Sequence, residues 1–314
     1  MVGEIEQCLK INQNLIVMLL GARRTGKTTA LNQLVERMET RNWPVVFRSF
    51  DSSSPSGQKG GSISGQDNSA NDLYASWQEA RQHAQTQAQP VLLVFDEIQG
   101  VAGWHRLVKG LWDEDQSTDA NIKVVLTGSA PLYLERGAAD KLLGRYVVVD
   151  CPHWSLAEMA EVFGHDLDRY LFFGGYPLSV PEKEWRRFVH QIIDVFVIRD
   201  LLSVVPDIRN KEGLLRMLPA LFHYAGRVVS YNTLTKLVPE VSNTTTLARY
   251  LDYFKHMRLV TGLPNYSPLP HGRRPSPKIV VHNNALITAG LTGTFADFRA
   301  DATLRGRLIK NAGG

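Results

Sequence analysis

The sequence predicts an α/β fold: a parallel sheet sandwiched by helices, followed by a helical connector and a smaller, basic helical module. Three observations carry this. Short, unbroken apolar runs alternate with segments of helical period up to residue 150, as expected of strands buried on both faces and joined by crossover helices. A glycine-rich turn joins the first run to the first helix. After Asp150 the apolar runs give way to helical periodicity, and the charge balance changes with them. With 314 residues, 44% of them hydrophobic, the chain is long enough for two cores.

Residues 15–20 (Leu-Ile-Val-Met-Leu-Leu) form the first strand, and a helix over 27–40 follows its glycine turn. The Asn42-Trp43-Pro44 break introduces a strand at 45–50, and Pro90 introduces another at 91–95. Two further strands are expected at 122–126 and 146–149, with helices over 72–88 and 104–113. Residues 51–71 are almost entirely Ser, Gly, Gln, Asn and Asp, too polar to offset the entropy of ordering. They are expected to be a solvated surface insertion, with a functional lid as the alternative.

Beyond Pro152-His153-Trp154-Ser155, helices are expected at 156–163 and 168–173, then a break at Gly174-Gly175-Tyr176-Pro177, then a long helix over 182–202 closed by Pro206. Further helices fall at 212–225, 231–237 and 244–258. In the last of these Leu247, Tyr250, Leu251, Phe254 and Met257 recur at spacings of three and four, the stripe of a helix packed on one face. Pro239 makes the turn before it and Ser242 and Asn243 supply caps, a helix-turn-helix layout. Strand-like runs at 259–266 and 278–283, joined by His271-Gly272-Arg273-Arg274, complete a winged-helix pattern. The expected organisation is a sheet domain at 1–150, a helical connector or lid at 151–205, a winged helix at 206–300 and the start of a further region at 301–314.

The first residues lack the order of a signal peptide, and the early apolar run is far too short to span a bilayer, so a cytoplasmic protein is expected. Cys8 and Cys151 stand in unrelated contexts, which argues against a disulfide framework or a zinc site. The net charge of +4 is unevenly spread: residues 206–275 hold ten Lys and Arg against four Asp and Glu, an excess larger than that of the whole chain. Such asymmetry suggests a polyanion-facing module. Arg249, Lys255 and Arg258 near the second helix of the motif, with Arg273 and Arg274 in its wing, are the candidate DNA contacts, since phosphate neutralisation supplies most nonspecific affinity. Winged helices also serve as protein docking modules, so a protein partner stays open.

Gly21-x4-Gly26-Lys27-Thr28 meets the Walker A pattern between an apolar strand and an amphipathic helix. Glycines let successive N–H groups converge on phosphate oxygens at a helix N-terminus. Gly21, Arg23, Arg24, Thr25, Gly26, Lys27, Thr28 and Thr29 are therefore the candidate ATP-binding residues, with Lys27 on the β and γ phosphates and Thr28 on Mg²⁺. The strand at 91–95 ends in Asp96-Glu97. Asp96 suits holding the Mg²⁺ through water, the Walker B role, and Glu97 suits a general base for the attacking water. Taken alone, such an acidic pair is most often a solvated turn. Thr127 and Ser129, at the end of the strand near 122–126, are candidate γ-phosphate sensors, with helix capping by Ser129 ahead of Pro131 as the alternative. Glu97 beside a metal-holding Asp96 points to hydrolysis rather than transfer to a second small molecule.

These residues together resemble the prokaryotic AAA-type ATPases that carry Gly-x-Arg-Arg-x-Gly-Lys-Thr-Thr and Asp-Glu-Ile-Gln, matched here by residues 21–29 and 96–99. The similarity continues at Trp104, Lys109, Leu126-Thr127-Gly128-Ser129, Gly144-Arg145 and Tyr170-Leu171-x-Phe173-Gly174-Gly175-Tyr176-Pro177. It implies an ASCE-type P-loop sheet, in which an extra strand separates the two Walker strands, then a winged helix and, in full-length members, a restriction-endonuclease-like region. It also suggests Arg145 as an arginine finger, with a surface salt bridge as the alternative, and Arg136 as a weaker candidate. Three departures stand out: Pro152-His153-Trp154-Ser155 replaces a Pro-Leu-Ser segment, His282-Asn283-Asn284 replaces an Asp-Asn-Gly turn, and Lys310 occupies the place of a glutamate of the nuclease-like region. No nuclease activity is therefore expected. The expected activity is Mg²⁺-dependent ATP hydrolysis coupled to movement of the winged helix, the alternative being a slow nucleotide-dependent switch acting on a protein. A homo-oligomer is compatible with either.

Overall fold

The computed structural model describes residues 1–10, 15–51, 67–128, 142–178, 181–194, 201, 205, 208, 210–241, 243–264 and 276–313. Two compact units divide the chain at Cys151/Pro152, except that the tip of the glycine turn, Ala22–Thr25, groups with the second.

The first unit is built on five parallel strands, β1 (Ile16–Gly21), β2 (Val45–Ser49), β3 (Val91–Asp96), β4 (Ile122–Gly128) and β5 (Tyr146–Cys151), in the order β2-β3-β4-β1-β5. Both β1 and β3 are buried along their whole length, which is why their sequences read as unbroken apolar runs. Successive side chains point to opposite faces. Met18, Leu93, Phe95 and Leu126 therefore meet Trp77 of α3 (Asp67–Thr86) and Trp104 of α4 (Trp104–Thr118). On the other face Val17, Leu19, Leu92 and Val94 meet Ile5 of α1 (Val2–Leu9) and Leu31 and Leu34 of α2 (Lys27–Thr40). Trp77 and Trp104 are fully buried, each contributing roughly 5 kcal/mol of apolar burial. Asp115 of α4, itself buried, accepts from the Trp77 indole at 2.7 Å and from Arg81 Nε at 2.6 Å, tying α3 to α4.

α3 starts five residues ahead of the sequence-based expectation, because Ala70 and Leu73 already pack on the sheet and open its apolar face. Most of the polar stretch at 51–71 lies outside the described residues. The strands β4 and β5 each run two residues past their expected ends, to Gly128 and Cys151, and α1 had no counterpart in the sequence-based expectation.

In the second unit, Ser155 and Glu158 form a reciprocal cap on α5 (Leu156–Phe163), and Asp166 caps α6 (Leu167–Phe173). α7 is described over Glu182–Asp194, and the rest of the long helix expected to 202 falls largely outside the described residues. Asn210, Ser230 and Asn243 cap α8 (Lys211–His223), α9 (Tyr231–Leu237) and α10 (Thr244–His256); the other expected cap, Ser242, lies outside the described residues. β6 (Val260–Leu263) and β7 (Lys278–Val281) pair antiparallel, and Val228 adds a single bridge to Lys278. The unit closes with α11 (Ala285–Thr288), α12 (Phe295–Ala300) and α13 (Ala302–Ala312).

The Asn283-Asn284 pair is a buried polar joint. Asn283 Oδ1 accepts from the backbone N–H groups of Gly175 and Ala285, at 3.2 and 3.1 Å. Asn284 bonds to the Leu308 carbonyl and to Asn311, while Asn311 holds both backbone groups of Val281, so α13 is knitted to β7. Among the described residues no helix is long and apolar enough to cross a membrane.

Candidate nucleotide site

β1 ends beside β5, with Gly21 in register with Cys151. A Cβ at position 21 would lie 2.2 Å from the Cys151 carbonyl oxygen, so glycine is the residue that lets the two strands close. The turn then uses left-handed backbone at Arg24 (φ 62°) and at Gly26 (φ 94°), the latter a value that an L side chain rarely adopts. Gly26 is the N-cap of α2 and supplies no capping side chain, so the first N–H groups of the helix and its positive end face the concavity of the turn. The buried Thr25 hydroxyl donates to the Ala22 carbonyl at 2.9 Å. The Lys27 amine, on a side chain only 5% exposed in residue terms, folds back over the turn to the Gly21 carbonyl at 3.1 Å. Arg23 is half-buried, and Arg24, Thr28 and Thr29 are exposed around the loop.

Because β4 lies between β1 and β3, three strand ends converge. The Asp96 carboxylate, on a residue 3% exposed, accepts from Thr28 Oγ1 at 3.1 Å through one oxygen and from Thr127 Oγ1 at 2.5 Å through the other. Thr127 Oγ1 in turn accepts the Glu97 backbone N–H at 3.2 Å. Burial raises the Asp96 pKa above the ordinary aspartate value and the Glu97 charge adds to this, with the Thr127 and Thr28 hydrogen bonds and the Lys27 charge opposing. Glu97 leaves β3 in the left-handed region (φ 55°), a costly conformation for a side-chain-bearing residue. Its carboxylate is half-buried and accepts a hydrogen bond from the Gln99 amide.

The structure thus brings Gly21, Thr25, Gly26, Lys27, Thr28, Asp96, Glu97 and Thr127 to the carboxyl edge of the sheet. Ser129 and Arg136 lie outside the described residues. Arg145 lies away from the loop of its own chain. β5 runs in register with β1 from Tyr146 opposite Ile16 to Cys151 opposite Gly21, so Arg145 stands at the other edge of the sheet, about 20 Å away at the usual strand rise. There its guanidinium pairs with Asp113 at 2.8 Å and lies over the Trp112 ring at 5.4 Å, the salt-bridge alternative.

Two polar partners escaped sequence reasoning: Gln99, although it belongs to the Asp-Glu-Ile-Gln run, and Trp154, whose indole N–H donates to the Thr25 carbonyl at 3.1 Å. The adjacency of β1 and β5 is the signal that places Trp154 near the turn.

In the second unit Arg249 and Lys255 are exposed on α10, but Asp252 is exposed midway between them, three residues from each, and interrupts the basic stripe. Arg258 follows the helix with φ 57°, its carbonyl 3.4 Å from His153 Nε2. Arg273 and Arg274 lie outside the described residues.

Residues 13–160 match the family model described as an AAA domain, and residues 164–296 match a domain of unknown function, DUF8612. The glycine turn and Asp96 both lie within the stretch that matches the AAA domain. An uncharacterized protein of Methanocaldococcus jannaschii, MJ1544, is 22% identical over 282 residues, covering 82% of this chain and 58% of that protein. An uncharacterized protein of Haemophilus influenzae is 25% identical over 261 residues, covering 77% of this chain and 60% of that protein. The chain thus spans less than two thirds of the length of either relative. Among solved structures, AMPPCP-bound DnaA from Aquifex aeolicus aligns over 80% of this chain and 86% of its own, at 16% identity and a TM-score of 0.38.

Proposed function

We propose that the chain binds ATP with Mg²⁺ and hydrolyses it, and that nucleotide state moves a nucleic-acid-docking C-terminal module. The observation that carries the first part is the Asp96 carboxylate shared between the Thr28 and Thr127 hydroxyls, at the edge where the glycine turn ends. A hydroxyl and a carboxylate are hard oxygen donors that suit Mg²⁺. Thr28 and Asp96 would hold the ion, which when bound offsets charge on the phosphate oxygens. Lys27, placed at the turn, adds a second positive charge to the γ phosphate. Thr127 holds the Asp96 carboxylate and the Glu97 backbone N–H from one hydroxyl, and the Gln99 amide holds the Glu97 carboxylate. Glu97 accepts the proton of the attacking water as its oxygen bonds to the γ phosphorus, and the bond to the β-phosphate oxygen breaks to leave ADP.

For the second part, the order α8, the Val228 bridge, α9, α10 and the β6-β7 hairpin supports a winged-helix reading, and Arg249, Lys255, Arg258, Arg273 and Arg274 supply its positive charge. Asp252, set between Arg249 and Lys255, favours the second reading, a nucleotide-dependent switch docking on a protein.

Phosphate release with and without duplex DNA tests the proposal. Release that depends on Mg²⁺, rises with DNA and disappears in Glu97→Gln while ATP still binds is the expected result. Full turnover by Glu97→Gln refutes the base assignment. No stimulation and no retention on DNA at low salt refutes nucleic-acid docking in favour of the protein switch.

A further inference from the structure

We infer that Trp154 is a positioning residue for the phosphate loop: through the Thr25 carbonyl it sets the direction of the Gly26 N–H, and so the grip of the loop on a nucleoside diphosphate. The inference rests on the nucleotide-binding reading above. Trp154 stands three residues beyond β5, inside the stretch that matches the AAA domain. Its indole N–H donates to the carbonyl of Thr25, a fully buried residue whose hydroxyl is spent on Ala22. Thr25 is therefore held at both its side chain and its carbonyl.

A planar trans peptide sends its C=O and N–H to opposite sides. With the Thr25 carbonyl turned to the indole, the Gly26 N–H faces the other way, into the concavity that receives phosphate oxygens. Gly26 has no side chain to resist rotation of that peptide. A flip of the Thr25–Gly26 unit would present a carbonyl oxygen to the phosphate, replacing an attractive dipole with a repulsive one. The indole prevents it.

Trp154 is itself anchored. Its backbone N–H donates to the Gly175 carbonyl at 3.1 Å, its carbonyl accepts the Tyr170 hydroxyl at 3.0 Å, and its ring packs on Phe163 at 6.0 Å between centroids. The next residue, Ser155, caps α5. Indole suits the task because it donates one hydrogen bond and accepts none, so it satisfies a carbonyl without competing for the N–H groups of the loop, as a Ser, Asn or Gln side chain would.

ADP titration calorimetry on the full chain, with spectra of ¹⁵N-tryptophan-labelled protein, tests this. Trp154→Phe is expected to melt cooperatively and to bind ADP roughly five-fold more weakly, the worth of one hydrogen bond. The indole resonance that this variant lacks is expected to shift in the wild type when ADP is added, a response that a purely structural tryptophan would not give. Tyr170→Phe, which unmoors the Trp154 carbonyl and leaves the indole in place, is expected to weaken ADP by a smaller factor; if Trp154→Phe does not fold, Tyr170→Phe decides by itself. Unchanged affinity in the variants, or an indole resonance that does not respond, overturns the role of Trp154 while leaving wild-type ADP binding intact. A wild type that binds no ADP overturns both this inference and the reading beneath it.

Discussion

Thr127 donates a 2.5 Å hydrogen bond to Asp96 from the neighbouring strand, and this bond opposes the upward pull of burial on the Asp96 carboxyl. Thr127→Val keeps the shape and deletes the donor. It should lower ATP turnover at least ten-fold and cost about 1–3 kcal/mol of stability, the penalty for an unsatisfied buried acceptor. Thr127→Ser, which restores the hydroxyl, should recover most of both. Chemical denaturation and phosphate release on the pair check this, and equal damage from Val and Ser would refute the role of the hydroxyl.

Lys27 is buried against the turn with its amine on the Gly21 carbonyl. Lys27→Ala should fold, because the β1 and α2 packing does not depend on the amine, but it should lose ATP and ADP binding by two orders of magnitude or more in calorimetry. Undiminished ADP affinity in that variant would remove Lys27 from the phosphate site.

Asp115 joins Trp77 and Arg81 inside the first unit. Asp115→Ala leaves the buried Trp77 indole without an acceptor and Arg81 with Glu114 as its remaining carboxylate, and should cost about 1–3 kcal/mol, read as a lowered denaturation midpoint. Asp115→Asn retains an acceptor for the indole and should cost less. Equal melting of all three proteins would show the network to be idle.

Glu6 predicts an acid limb to the stability curve. Burial pushes its pKa up, but the hydrogen bonds and charges of Arg41 and Arg37 outweigh this and hold it below the ordinary glutamate value of 4.5. The unfolded chain then binds the proton more readily, so the contribution is complete above pH 4.5 and is lost as pH falls through the folded pKa. Both arginines are half-exposed, which limits the effect to about 1 kcal/mol or less. Glu6→Gln should therefore lower the urea midpoint slightly in the neutral region, converge with the wild type at low pH, and so flatten the decline below pH 4.5.

Asp252 discriminates between the two docking readings. If α10 faces nucleic acid, Asp252→Asn should tighten duplex binding at low salt, and Arg249→Ala or Lys255→Ala should each reduce the salt slope by about one unit. A slope indifferent to all three substitutions would point to a protein partner.

The parallel sheet was legible because β1 and β3 are buried on both faces, so their sequences could not alternate. The glycine turn was legible because its geometry demands glycine where few other residues fit. The place of Arg145 was not legible because its motif is local, whereas its distance from the turn depends on the register of β5 against β1. Trp154 and Asn283 act on residues more than one hundred positions away, and no periodicity records such pairings. The weight of Asp252 emerges only when α10 is seen to expose it between two arginine and lysine side chains.

The close approach of Gly21 to Cys151 separates two histories that a motif search would merge. Position 21 is constrained by the seam between two strands whether or not a nucleotide ever binds, while on the proposed function Lys27 serves the ligand. In a lineage drifting away from ATP use, the first glycine should therefore outlast the lysine, and a retained Gly21 would be a fossil of the sheet rather than a sign of activity.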